Sequence, residues 1–580
     1  MTVLGIHVLD LLVLVVYFGL VLYLGVFLGA SKTKTLGDFF VAGGKWGPLV
    51  SFIFVFASAI AGNEAVVVSG EAYHGGLSGV WYWWSFLFAT PVYFLFATYY
   101  RRARVYNLAE FLEMRFGRGV AAFYSLVAGL ICLLFIGMFV LAIGKILSGF
   151  ADVPLEWCIG GITLIVAAYV CSGGMMSALL TDLLQGVMCL VILAFIMLPF
   201  LWSHAGGFEA LRELPIETWD FTAKGMSLWK VVALNLSALA GGIAAPWIYN
   251  WMSISADEKA ATQCAWGHLW KRLVTLIFAL YGIFFAVLQP GLEDSELAWG
   301  TVMKEVLPVG FGVVGLMIAS FFAAAMSSAD TYAATSSAMY VDYFFRRVAC
   351  PGLPLGRYLT IARVWAAASI VVAALSTIFI SSIEGYVKLS LSLLSFLGIP
   401  IYFGVVWRKA SEKATWLSFL LAISVYATLH FMPVGEDQWF ADDDTRFIAK
   451  VFIPTALAVV GMWIGSLVWP ETDERKLRRF FVIMNTPIGQ EQRLVDAGIN
   501  LPALVDAGLA EPGAEHINQQ VLDELYEADA QQKMFGPESV IEVRRERLPW
   551  YARGFVAVTA GCVLLVVLTW LATRLLFVWT

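Results

Sequence analysis

Apolar runs of about twenty residues recur along almost the whole chain, separated by short polar connections. A run of that length crosses a hydrocarbon core of roughly 30 Å as a helix. The pattern predicts membrane-spanning helices near 7–29, 47–74, 78–100, 120–149, 157–172, 177–202, 227–252, 264–289, 308–343, 360–381, 384–407, 414–432, 448–469 and 552–578, about fourteen in all. The runs at 47–74 and 308–343 are longer than a straight span needs, so breaks or tilt are expected there. The first run has no basic start and no cleavage site, and reads as a retained span rather than a signal peptide.

Lysine and arginine fall on alternate connections. One set carries Lys32, Lys34 and Lys45; Arg101, Arg102, Arg104, Arg115 and Arg118; Lys259, Lys271 and Arg272; Arg346, Arg347 and Arg357; and Arg408, Lys409 and Lys413. The other set is acidic: Asp152 and Glu156; Glu209, Glu213 and Glu217; Glu293, Asp294 and Glu296; Asp442, Asp443 and Asp444. The cation-rich side of a membrane protein is the cytoplasmic one. Both termini are then expected outside, and the chain in the inner (cell) membrane of a bacterium. Lys271 and Arg272 read as anchors at the cytoplasmic end of the eighth span, with the alternative that one of them reaches an anionic solute.

Composition agrees with a lipid solvent. Of 580 residues, 60% are hydrophobic and 14% charged, against about 45–50% and 25% in soluble domains; the mean hydropathy is +0.79. A net charge of −6 gives no reason to expect a nucleic-acid partner. The seven cysteines lack metal spacing and the six histidines are scattered. With no nucleophile–base pair in view, an enzyme is not expected.

One sizeable polar segment, 471–551, falls on the cytoplasmic side. Its start, Arg475, Lys476, Arg478 and Arg479 with Phe480 and Phe481, reads as a basic amphipathic patch suited to anionic lipid. Its acidic middle, Glu511–Gln532, reads as a short helix, and the whole as a connector or regulatory contact.

The chemistry concentrates in FFAAAMSSADTYAATSSAMYVDYF, residues 321–344. Hydroxyls and one carboxylate, Asp330, inside an apolar span are costly unless they serve a function. Such a helix supplies oxygens that replace the water around an ion. Two other spans carry breakers in mid-segment: ASAIAGNEAVVVSGEAYHGG at 57–76 and NLSALAGGIAAPWIYNW at 235–251. They lie five spans apart, the offset of two five-helix repeats, and discontinuous helices are where transporters build midplane sites. Unwinding frees the carbonyls of Ala57 and Ile60. Ser327 and Ser328, with the Ala324 carbonyl, complete an oxygen shell suited to Na⁺; K⁺ and proton coupling stay open on this chemistry alone. Ser336 and Ser337 read as packing hydroxyls.

At these residues the chain resembles the sodium:solute symporter family. DFFVAG (Asp38–Gly43), CSGGMMSALLTDLLQG (171–186) and Ala324–Ser328 with downstream Asp342 match its elements in order and spacing. The resemblance implies an all-α membrane protein with a leucine-transporter-type core of two inverted five-helix repeats, each with a broken first helix. The implied segments are a leading helix and loop (1–45), the first repeat (46–205), an external loop (206–225), the second repeat (226–410), two further spans (411–470), the cytoplasmic insert (471–551) and a final span (552–580). It also implies a Na⁺ site of Ala57, Ile60, Ala324, Ser327 and Ser328, and a second between Asp182 and the pair Asp330 and Thr331.

The solute pocket is expected between Asn63, Glu64, Trp83, Phe86, Gly241, Gly242, Trp247 and Asn250. Sugar-transporting members have a glutamate where Trp83 stands, so a full sugar-hydroxyl network is not expected. The run WYWW (81–84) is either a stacking or cation–π surface or an interfacial aromatic belt. The expected activity is sodium-coupled import of a small polar solute by alternating access, with a sugar, an amino acid, a carboxylate and a cationic solute all left open. A proton-coupled carrier and a solute sensor signalling through 471–551 are the alternatives.

Overall fold

The computed structural model describes residues 2–3, 6–170, 174–223, 225–435, 438–511, 515–531 and 550–578. Apart from a two-residue pairing of Thr2–Val3 with Ile6–His7, the described chain is helical. Among the described residues, ten helices are long and apolar enough to cross a membrane, or up to twelve when each of two bent pairs counts as one span. The other two of the fourteen expected spans are shorter. Thr90–Arg102 has 13 residues with a proline in its first turn, and Leu155–Val170 has 16. Many outward side chains are apolar and exposed, among them Val15, Phe195, Val364 and Leu564. That surface suits hydrocarbon, since water would leave so wide an apolar patch uncovered.

The functional elements are α1 (Val8–Leu22), α2 (Pro48–Ser58), α3 (Gly62–Gly75), α4 (Thr90–Arg102), α5 (Leu108–Phe116), α6 (Arg118–Ala151), α7 (Gly174–Leu190), α8 (Leu228–Gly241), α9 (Pro246–Ser253), α10 (Glu258–Leu288), α11 (Val313–Ser337), α12 (Ile383–Leu397) and α13 (Glu474–Asn485). α10 packs on α2, α3 and α4, while α11 packs on α1, α6 and α7. Small residues permit this closeness. A Cβ on Gly186 of α7 would fall 2.1 Å from the Ala57 Cβ of α2.

Both broken spans lie where the sequence carries breakers. α2 and α3 meet at 50° across Ala59–Ala61, with Ala61 extended at φ −110°, ψ 142°. α8, continued by a turn to Ala244, meets α9 at 54°. There Pro246 lacks an N–H and pushes the residue before it out of the helical region; Ala245 sits at ψ 116°.

Contacts join the cation-bearing loops at one end of the bundle. Arg101 reaches the carbonyls of Ser255 and Gly44, and Arg102 pairs with Glu258 at 2.9 Å. The insert closes over this end. Phe480 and Phe481 of α13 are fully buried, and Phe480 packs on Phe111 of α5. Lys476, Arg478 and Arg479 pair with Glu471, Asp523 and Glu515. The patch expected to lie on lipid is therefore turned onto protein, because its apolar face meets an apolar face of α5 and its cations meet the insert's own acids. The acidic middle forms a helix over Gln519–Gln531; residues 512–514 lie outside the description.

Candidate functional site

The break between α2 and α3 rests against α11: a Cβ on Gly62 would stand 3.4 Å from the Phe321 carbonyl and 3.7 Å from the Ala324 Cβ. At the break the Ile60 N–H turns back to the Ala57 carbonyl at 3.0 Å. Among the described residues no backbone N–H reaches the Ile60 carbonyl. Opposite, Ser328 Oγ donates to the Ala324 carbonyl at 3.1 Å, and Ser327 is buried with its hydroxyl facing Asp182.

α7 adds the decisive group. Asp182 is fully buried and no cationic side chain pairs with it among the described residues. Its neighbours are the carboxylate of Asp330 and the hydroxyls of Ser327 and Ser58, which face it at hydrogen-bonding range. Thr331, one turn on from Ser327, buries an unpartnered hydroxyl. Tyr17 of α1 closes this side, accepting from Gln185 Nε2 at 3.0 Å. A buried carboxylate without a counter-charge is expensive even where hydroxyls face it, and a second one beside it raises the cost. A cation among them removes both penalties, and a donor set made only of oxygens suits a hard ion. No group of three or more His, Cys, Asp or Glu that would hold a transition metal occurs among the described residues. Residues 171–173 of the motif preceding Asp182 lie outside the description.

On the other side of the break lies a narrow cavity of about 40 Å³, reached by both Ser58 and Ser328. Trp83, Phe86, Phe135, Phe139, Trp247, Trp251 and Tyr332 form its aromatic walls. Tyr332 stacks on Phe135 at 5.1 Å and lies 4.7 Å from Trp247. The remaining wall is basic: His268, Lys271 and Arg272, all on α10. Lys271 forms a fully buried ion pair with Glu64 at the start of α3, and Thr275 donates to the same carboxylate at 2.5 Å. Arg272 donates to the Trp83 carbonyl at 2.7 Å and to His268 Nε2 at 2.5 Å.

Of the residues expected around the solute, Trp83, Phe86 and Trp247 line this cavity, and Glu64 reaches it through Lys271. Others are turned elsewhere. Asn63 donates to the Met138 sulfur at 3.3 Å and Asn250 to Thr335 Oγ1 at 2.7 Å. Gly241 meets the Leu394 backbone of α12, and Gly242 meets the Tyr93 ring. WYWW divides: Trp83 lines the cavity, while Trp84 donates to the Arg272 carbonyl. Lys271 and Arg272 are not anchors at a helix end. α10 begins at Glu258, capped by the Asp257 side chain, so both lie well inside it and are almost wholly buried. A signal for this wall existed: His268, Lys271, Arg272 and Thr275 fall at helical spacing on one face, whereas Trp270 and Leu273 between them are exposed.

The family model described as the sodium:solute symporter family matches residues 39–421. The sodium/myo-inositol cotransporter 2 of Oryctolagus cuniculus is 24% identical over 584 residues, covering 89% of this chain and 85% of that one. The sodium/proline symporter 2 of Staphylococcus saprophyticus is 24% identical over 363 residues, covering 58% and 68%. Among solved structures, a substrate-bound, outward-open Na⁺-coupled sialic acid symporter aligns with a TM-score of 0.65 at 17% identity, covering 80% of this chain and 99% of that one. At that identity the likeness speaks for the fold. The three named solutes differ, so kinship alone does not select one.

Proposed function

We propose that this chain, which belongs to the sodium:solute symporter family, imports a small polar solute together with Na⁺ by alternating access. It is a membrane transporter and not an enzyme. The observation that carries the reading is the buried Asp182 carboxylate, which faces Asp330 and the hydroxyls of Ser58 and Ser327 at a broken helix with no cationic side chain beside it among the described residues. One Na⁺ binds between the break and α11, using the carbonyls of Ala57, Ile60 and Ala324 with Ser327 and Ser328. A second binds at Asp182 with Asp330 and Thr331. The solute occupies the aromatic cavity. Two inverted five-helix repeats, 46–205 and 226–410, rock about these sites, flanked by 1–45, 411–470 and 552–580. The cation-bearing loops and 471–551 face the cytoplasm of a bacterial cell. The membrane potential then contributes about 2.3 kcal/mol per charge per 100 mV to inward release. Ions bias the rocking only through their different affinities for the two states.

Thermal melting of the purified protein in Na⁺ and in K⁺ at equal ionic strength tests this without knowledge of the solute. A site filled at about 100 times its dissociation constant adds roughly 2.7 kcal/mol. Wild type should melt higher in Na⁺, and Ser328→Ala should lose most of that gain. Equal melting of wild type in the two salts would refute sodium coupling.

A further inference from the structure

The basic wall of the cavity carries one more charge than the protein balances. Lys271 and Arg272 both face Glu64, which is the one carboxylate paired with either of them among the described residues. Moving a proton between Lys271 and Glu64 leaves this sum unchanged, so the group carries a net +1 in either case. His268 does not alter it. Its Nε2 accepts from Arg272, which leaves Nδ1 as the protonated nitrogen, 2.9 Å from Thr90 Oγ1. Thr90 in turn donates to the Phe86 carbonyl at 2.9 Å. The ring is thereby fixed as neutral.

A guanidinium buried to 1% exposure that must share its one facing carboxylate with a lysine is unfavourable. Its direct contacts are neutral: the Trp83 carbonyl, His268, and the Phe86 ring 5.9 Å away. Its Nε–H has no acceptor. Guanidinium nitrogens with free hydrogens form the fork that carboxylates fill with two parallel bonds. The apolar remainder of the cavity is flat and aromatic, formed by Phe135, Trp247 and Tyr332. Resting on the transport reading above, we propose that the solute is a small carboxylate anion whose charged end binds Arg272 and whose body lies against those rings. The anion also approaches Na⁺ across the shared wall of Ser58 and Ser328, so its affinity rises when Na⁺ is bound.

The test uses the purified full chain and paired probes that differ only in charge: pyruvate, lactate and benzoate against pyruvamide, lactamide and benzamide, with myo-inositol as a neutral polyol. Ligand-induced melting shifts are titrated in Na⁺ and again in K⁺. At least one carboxylate should bind wild type tenfold or more tightly than its amide, more so in Na⁺. Arg272→Gln should erase the difference within the pair, and Arg272→Lys, which keeps a charge but not the fork, should retain part of it. The inference is overturned if amides or myo-inositol bind wild type as well as the carboxylates do, if no carboxylate binds while Na⁺ still stabilises, or if Arg272→Gln keeps the preference. The wild-type comparison decides even where a variant fails to fold. Carboxylate binding equal in both salts, with no Na⁺ stabilisation, would sink the transport reading and leave this one standing.

Discussion

The oxygen pocket around Asp182 and the cavity around Arg272 share the wall made by Ser58 and Ser328, yet they are charged in opposite senses. The first gathers Asp182 and Asp330 among hydroxyls, with no cation paired to Asp182 among the described residues. The second sets Lys271 and Arg272 against the single carboxylate of Glu64. Each imbalance is unfavourable in a buried site, and each is relieved by a ligand of the missing sign. Because the pockets touch, filling one strengthens the field that draws the other ligand. If these pockets hold the ion and the solute as proposed, coupling needs no long pathway, only two opposite charge imbalances on either side of one broken helix.

The largest expected effect comes from deepening the imbalance of the cavity. Glu64→Gln leaves Lys271 buried without its partner, and loss of one member of a buried pair costs about 3–5 kcal/mol. The double variant Glu64→Gln with Lys271→Met removes the charge as well as its partner and should recover most of that loss. Melting of the three proteins decides. A cost under about 1 kcal/mol for the single variant would mean that water reaches the pair, and the contrast between the pockets would weaken.

The opposite change applies to the oxygen pocket. Asp182→Asn removes the uncompensated carboxylate, so the variant should melt higher than wild type in K⁺. It should also bind Na⁺ at least tenfold more weakly, about 1.4 kcal/mol. Ser327→Ala removes a neutral ligand only and should show a smaller loss of Na⁺ response with no gain in K⁺. If Asp182→Asn melts lower in K⁺, the carboxylate is satisfied by water rather than waiting for an ion.

How far the sequence discloses these pockets follows from the physics of each. The breaks are legible because Gly62, Pro246 and their neighbours act through the backbone, independent of the surroundings. Ser327, Ser328 and Asp330 are legible because polar groups in an apolar run have few structural uses. The basic wall is only half legible: starting the span at 264 rather than Glu258 puts Lys271 and Arg272 near an end and favours anchors over contact with an anionic solute, whereas they lie about 20 Å along the helix. Phe135 and Tyr332 carry no such signal, since an aromatic residue of a cavity and one of a packed core look alike in sequence. Asn63 and Asn250 show the converse. Their polarity marks them as candidates, but helix rotation turns their amides to Met138 and Thr335.

A third charged site sharpens the comparison because it is balanced. Arg104 pairs with Glu491 of the insert at 3.1 Å and also donates to the carbonyls of Thr486 and Pro487. Partial burial raises the Glu491 carboxyl, but the Gly489 N–H bonds and the Arg104 guanidinium outweigh it and hold the carboxyl below the usual range. A group lowered in this way stabilises the fold above its unfolded value, about 4.3, and loses that contribution as pH falls through the folded value. Glu491→Gln should therefore cost no more than about 1 kcal/mol at pH 7. The gap between wild type and variant should shrink below pH 4. Since this pair lacks no ligand, the gap should be the same in Na⁺, in K⁺ and with any carboxylate present. A gap that widened in Na⁺ would tie the insert to the oxygen pocket, and the charge imbalance at the broken helix would no longer account for coupling by itself.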